Sequence, residues 1–199
     1  MDWTAMTEDE RQRALAVWIA ADGRVEKFLE LLGQLHDPTV GAAAFALGAE
    51  LWSPAHASYH NVVREKVEVA GPWFVQGRVP GSPRLGVVGS RAVDHEGVRV
   101  CKAIVREVAA AGVAIVSGGA LGIDTVAHSE ALIVGGQTVS VLPSAFDRLT
   151  PARNAKMFSR IAQTGALVSE YPPGVTAHRF HFHRRNEIIA ALSDAVLVV

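Results

Sequence analysis

The sequence predicts an α/β protein, a parallel sheet with helices on both faces preceded by a small helical domain. Three observations carry this. From residue 84 onward, short runs of β-branched residues alternate with segments of helical period. Glycine is concentrated in the same part, with 12 of the 18 after residue 80. Charge divides at that boundary too: residues 1–80 hold 11 acidic and 7 basic side chains, net −4, and residues 81–199 hold 9 and 12, net +3.

The first region is helical by pattern. Thr7 and Glu10 form a capping box, in which hydroxyl and carboxylate satisfy backbone N–H groups that have no partner inside the helix. Ala14, Leu15, Trp18 and Ile19 then make one apolar stripe. A second stripe, Val25, Phe28, Leu29, Leu32 and Leu35, stops at Asp37-Pro38, because a residue before proline avoids helical geometry. Two further short helices are expected after Thr39 and after Ser53-Pro54. These stripes read as packing surfaces. The organisation expected is therefore a helical domain over 1–72, a strand at Trp73-Phe74-Val75 with a linker over 73–83, and an α/β domain over 84–199.

In the second region Arg84 to Val88, Val113 to Val116, Thr138 to Leu142, Ala166 to Val168 and Ala195 to Val199 read as five strands. Helical segments fall at about 97–110, 122–134, 151–163 and 183–192. Continuously apolar strands alternating with helices imply right-handed βαβ units, which is a Rossmann-like core.

Composition bounds the function. With 199 residues, 49% of them hydrophobic, and a mean hydropathy of +0.21, the chain can bury a sizeable core. The single cysteine, Cys101, excludes an internal disulfide and a multi-cysteine zinc site, and it reads as a small buried apolar residue. The acidic N-terminus lacks an apolar export segment, and no stretch supplies the ~20 uninterrupted apolar residues of a membrane span, so a cytoplasmic protein with no membrane partner is expected.

Ligands of such sheets bind beyond the carboxyl ends of the strands. Those ends are Gly89-Ser90-Arg91, Ser117-Gly118-Gly119-Ala120-Leu121-Gly122-Ile123-Asp124, and Ser169-Glu170-Tyr171-Pro172-Pro173-Gly174. Glycine allows close backbone approach and the next helix start offers N–H donors, so the first two loops are candidate phosphate cradles, with Arg91 as a charged donor. No Walker-type Gly-x-x-x-x-Gly-Lys-Ser/Thr and no Gly-x-Gly-x-x-Gly is present, which removes the common ATP and NAD readings.

The formal net charge of −1 conceals a basic belt. Residues 148–185 carry Arg148, Arg153, Lys156, Arg160, Arg179, Arg184 and Arg185 against Glu170 alone, which is +6 in 38 residues. His178, His181 and His183 interleave with Phe180 and Phe182 just before Arg184-Arg185-Asn186. Guanidinium groups beside aromatic faces suit single-stranded nucleic acid. His178-x-x-His181-x-His183, read as an irregular loop, lacks the cysteines and carboxylates a metal site would add, so no metal and no cofactor is expected. Asp124 and His128 share a helix face and could imitate an acid/base pair, although capping explains Asp124 equally well. Glu170 has no identifiable partner, and no nucleophile with an adjacent base emerges.

Taken together, Gly86-Val87-Val88-Gly89-Ser90-Arg91, Val116 through His128, Ser169 through Gly174, and Arg185 through Ser193 resemble the DNA-processing protein A (DprA/Smf) family over about residues 84–199. The resemblance implies an extended Rossmann domain that binds single-stranded DNA without base specificity, without catalysis, and hands it to a RecA-type recombinase during natural transformation. It implies dimerisation through that domain. By position it implies a DNA pocket of Ser90, Arg91, Ser117, Gly118, Gly119, Phe182, Arg184, Arg185 and Asn186. Three departures stand out. Asp94 and Glu96 replace a hydroxyl and an aromatic residue, and so place negative charge near the implied phosphate path. Glu187 stands where the family has arginine, with Arg184 as a compensating charge. The chain stops at Val199, where the family continues with more sheet and helix, so an incomplete domain is expected. The competing reading is a nucleotide-binding sensor or phosphoribohydrolase-like enzyme on a related Rossmann core, whose Pro-Gly-Gly-x-Gly-Thr run is absent here.

Overall fold

The computed structural model describes residues 49–52, 73–81, 83–171 and 174–199. The helices expected in the first region, from the Thr7 capping box to the segment after Ser53-Pro54, lie outside the described residues. Seven strands, β1 (Glu50–Trp52), β2 (Trp73–Gly77), β3 (Arg84–Val88), β4 (Ala114–Ser117), β5 (Thr138–Leu142), β6 (Ala166–Ser169) and β7 (Ala195–Val198), form one sheet in the order β1-β2-β6-β5-β4-β3-β7. The helices are α1 (His95–Ala110), α2 (Ile123–Ile133), α3 (Ala155–Thr164) and α4 (Arg179–Leu192). From β6 to β7 the neighbours are parallel, as the continuously apolar strands require. The chain is thus a Rossmann-like α/β protein over these residues.

Three features differ from the sequence reading. The strand at Trp73 is longer than predicted and pairs antiparallel with β6, with Phe74 opposite Ser169, so it belongs to the sheet and not to a connection. Its outer neighbour β1 was not foreseen, and pairs antiparallel with β2. The last helix begins at Arg179 instead of residue 183. The His178 N–H donates to His181 Nδ1 at 3.3 Å, in a reciprocal cap that starts the helix four residues early and corrects the loop expected for the histidine cluster.

The period-2 alternation of the strands assigns side chains to two faces. Val116, Val139, Val141 and Val168 pack with Ile188, Ile189 and Leu192 of α4 on one face. On the other, Val87 and Ile115 meet Cys101, Val105 and Ala109 of α1 and Ile123 and Ala127 of α2, while Leu142 and Leu167 meet Phe158 and Ile161 of α3. Cys101 is fully buried in that layer, as expected of an apolar filler. The Arg106 Nε–H donates to the buried Glu130 carboxylate at 2.7 Å and ties α1 to α2.

Strand order places the site. The chain steps from β3 through β4 and β5 to β6, then α4 carries it back to the far side of β3, where β7 pairs. The reversal makes the β3/β7 boundary a topological switch point, and Gly89-Ser90-Arg91 leaves the sheet there.

Candidate nucleic-acid interface

Three segments meet above the carboxyl ends of β3 and β4. The first is the loop after β3. Ser90 Oγ accepts the Ala92 N–H at 3.1 Å, a local turn that leaves Arg91 in solvent. The Ile123 N–H donates to the Ser90 carbonyl at 3.1 Å, so the two glycine loops are bonded directly to each other. Gly122 permits that approach: its φ is +87°, and a side chain there would collide with the backbone of Ser90 and Arg91.

The second is the loop after β4, and its role differs from the open cradle expected. Ser117 is fully buried, with its hydroxyl donating to the Val87 carbonyl at 2.7 Å. Gly118 and Gly119 are buried as well. The space above Gly118 is filled by the Arg185 guanidinium, which would overlap any Cβ at that position, and Phe158 takes the corresponding space at Gly119. The Ala120 N–H turns inward to Asp124 Oδ2 at 3.3 Å. The missing side chains therefore admit an arginine from α4 in place of a ligand.

The third is the first half of α4. Arg185 is only 6% exposed and places Nη1 3.8 Å from Asp124 Oδ2, while its Nε–H donates to the Asn186 side-chain oxygen at 3.1 Å. Burial raises the Asp124 carboxyl above its ordinary range against the lowering effect of Arg185, and burial lowers the Arg185 guanidinium. Asp124 thus offsets a buried cation, and Arg185 Nη1 has no hydrogen-bond partner among the described residues. Between the two arginines stands Phe182, with the Arg91 guanidinium 5.0 Å and the Arg185 guanidinium 5.9 Å from the ring centroid. Arg91 and Arg185, 94 positions apart in sequence, are joined through one aromatic ring.

Arg184 points elsewhere. Its Nε–H donates to Glu170 Oε2 at 2.9 Å and its Nη1 to Glu187 Oε2 at 2.7 Å. Glu170 is therefore far from partnerless, since the guanidinium from α4 clamps the end of β6. Burial raises the Glu170 carboxyl above its ordinary range against the lowering by Arg184. Ser90, Arg91, Phe182, Arg185 and Asn186 are brought together by the fold. Gly118 lies beneath Arg185 and Gly119 beneath Phe158, Ser117 is buried against the Val87 carbonyl, and Arg184 is engaged by carboxylates.

Other sequence expectations resolve locally. Asp94 caps α1, accepting the Gly97 N–H at 2.8 Å, and Glu96 accepts from Arg99 Nε at 2.8 Å, so both added carboxylates have partners on their own helix. His128 is not paired with Asp124: its Nδ1 lies 2.7 Å from Thr138 Oγ1. The Thr138 hydroxyl donates to the Ile115 carbonyl at 2.9 Å, so Nδ1 must carry the proton, and Nε2, buried with no partner among the described residues, is the acceptor. His181 stacks on Tyr171 with centroids 3.9 Å apart.

One supporting residue escaped the sequence reading. Asn154, before α3, donates to the Gly119 carbonyl at 2.9 Å and to Thr125 Oγ1 at 2.8 Å, and so bolts α3 to the second loop. Its only signal was an asparagine at a helix start between basic residues. Arg153 and Lys156, exposed beside it, carry the basic belt up to this loop.

Comparison with known proteins places this arrangement. The profile of the DNA recombination-mediator protein A family matches residues 50–199. Protein Smf of Synechocystis is 44% identical over 124 residues, 62% of this chain and 30% of its own length. The chain spans about a third of the length of such curated relatives. DNA processing protein A from Streptococcus pneumoniae superposes with a TM-score of 0.73 at 27% identity, covering 98% of this chain and 74% of that one. DNA processing protein A from Helicobacter pylori, a structure described for its single-stranded DNA binding mode, superposes with a TM-score of 0.62 at 26% identity over 75% of this chain and 68% of that one.

Proposed function

Because the chain belongs to the DNA recombination-mediator protein A family, we propose that it binds single-stranded DNA without base specificity across the Arg91–Phe182–Arg185 surface. One observation carries the reading: Arg91, from the loop after β3, and Arg185, from the first half of α4, converge on a single ring at the switch point of the sheet. The exposed Arg91 guanidinium can grip a phosphate while the buried Arg185 guanidinium adds positive potential beneath it, and such contacts are indifferent to base identity. Ser90 and Asn186, both exposed at the same place, add neutral hydrogen-bonding groups. The single-stranded DNA binding mode of the Helicobacter pylori protein supports this ligand class.

The role extends to protection of incoming DNA and its transfer to a RecA-type recombinase in natural transformation, by a homodimer in the cytoplasm. The protein acts by binding and not by catalysis. Among the described residues no helix is long and apolar enough to cross a membrane.

The test is a titration of fluorescent oligonucleotides at two salt concentrations. Binding to single strands should weaken steeply with salt, with a slope of roughly 0.7 per phosphate contact on a log–log scale. Arg91→Ala should weaken binding and reduce that slope. Salt-insensitive or absent binding in a folded sample, or binding to mononucleotides alone, rejects the proposal.

A further inference from the structure

Phe180 is 80% exposed in the first turn of α4, an unusual position for a large apolar ring. It stands two residues before Phe182, about 200° around the helix, so the two rings leave α4 on opposite sides. Phe182 is held between two guanidinium groups and is partly buried, which commits it to orienting Arg91 and Arg185. Phe180 instead shares the solvent face with exposed Arg179 and, one turn on, exposed His183. Arg179 is the exposed cation of this stretch, while Arg184 and Arg185 are held by Glu170, Glu187 and Asp124.

Resting on the single-stranded DNA reading above, we infer that Phe180 is a second platform, on which a base stacks as the strand passes from the Arg91–Arg185 surface over the start of α4. The cationic surroundings select the occupant. An apolar ring beside the exposed Arg179, next to the Arg91–Arg185 surface, suits a polyanion with flat apolar faces better than an apolar protein surface, whose approach would bury the Arg179 charge. The ring contributes area with every base, so it adds affinity without adding sequence preference. A strand crossing from Arg91 to Phe180 also occupies more nucleotides than the arginine pair alone.

The experiment compares wild type, Phe180→Ala, Phe180→Trp and Arg91→Ala on a single-stranded oligonucleotide and on its counterpart with abasic positions. Phe180→Ala should weaken binding to the normal strand by about fivefold or more, shorten the minimal strand bound, and leave the thermal melt unchanged because the ring is in solvent. Phe180→Trp should restore affinity, and the Phe180→Ala effect should vanish on the abasic strand. An equal loss on both strands, or none on either, overturns the inference while Arg91→Ala still tests the DNA reading itself. A Phe180→Ala protein with unaltered DNA affinity but altered sedimentation would assign the ring to a protein interface and overturn it as well. Wild type that binds no strand overturns both readings.

Discussion

The guanidinium of Arg185 occupies the volume that a side chain at Gly118 would need. The glycine of the second loop is thus explained by a contact from α4, 67 positions later in the chain. Gly118→Ala should fold, because the clashing atoms are the end of a side chain and can move. Arg185 would then leave Asp124 and Phe182. Single-stranded DNA affinity should fall about as far as in Arg185→Ala, and the two losses should not add when combined. A binding titration of the three proteins checks this, and full additivity would argue against the contact.

Gly122 lies under a harder constraint. Its φ of +87° and its approach to the Ser90 and Arg91 backbone leave nothing flexible to yield. Gly122→Ala should lose stability by at least about 1–3 kcal/mol, with both glycine loops displaced together, since the Ile123 N–H would be drawn from the Ser90 carbonyl. Denaturant unfolding measures the first effect, and hydrogen exchange at Ile123 the second.

Arg184 and Arg91 should separate cleanly by assay. The Arg184 side chain is 31% exposed and holds Glu170, whose side chain is 7% exposed. Arg184→Ala strands that carboxylate, at a cost of up to about 3 kcal/mol given the partial exposure; Glu170→Gln on the same background should return part of it. The salt slope of DNA binding should stay near wild type. Arg91→Ala should do the reverse, with an unchanged melt and a shallower slope. A reduced slope in Arg184→Ala would return that residue to the direct DNA contacts.

His128 should weaken the protein in mild acid. Burial, with a smaller contribution from Arg185, pushes the imidazole down to about 3, whereas in the unfolded chain it titrates near ~6.5. Between these values the unfolded state takes up a proton that the folded state refuses. Stability therefore falls as pH drops below ~6.5, by up to about 1.4 kcal/mol per unit, and stops falling near 3. Asp124 and Glu170, both raised by burial, act with the opposite sign, but only near the carboxylate range. Urea melts at pH 7 and pH 5 should show a larger drop for wild type than for His128→Gln. Equal drops would rule out His128 as the cause.

The sequence by itself determined the parallel core. Runs such as Val113 to Val116 and Ala166 to Val168 are apolar on both faces, and only a strand covered on both sides needs that pattern. It also determined where chemistry could lie, because strand ends and glycines are local features. Strand limits moved where a turn intervened: Val113 remains in the cap of α1, its N–H reaching back to Val108, so β4 begins one residue late. The start of α4 moved by four residues because its cap is made by histidines, which no ordinary capping preference includes.

Which of the candidate residues face a ligand was decided only by the tertiary structure. A glycine-rich loop after a strand reads the same whether its space is kept for a phosphate or filled by an arginine from another element. Here Arg185 fills it, Asp124 balances the charge, and Arg91 reaches the same ring from the neighbouring loop. Likewise Arg184 and Arg185 are adjacent in sequence, yet one turns to Glu170 and the other to Asp124, because successive residues on a helix point about 100° apart. Local pattern assigns each residue to an element. Burial and charge balance depend on what another part of the chain brings opposite it, and that is settled only when the elements pack.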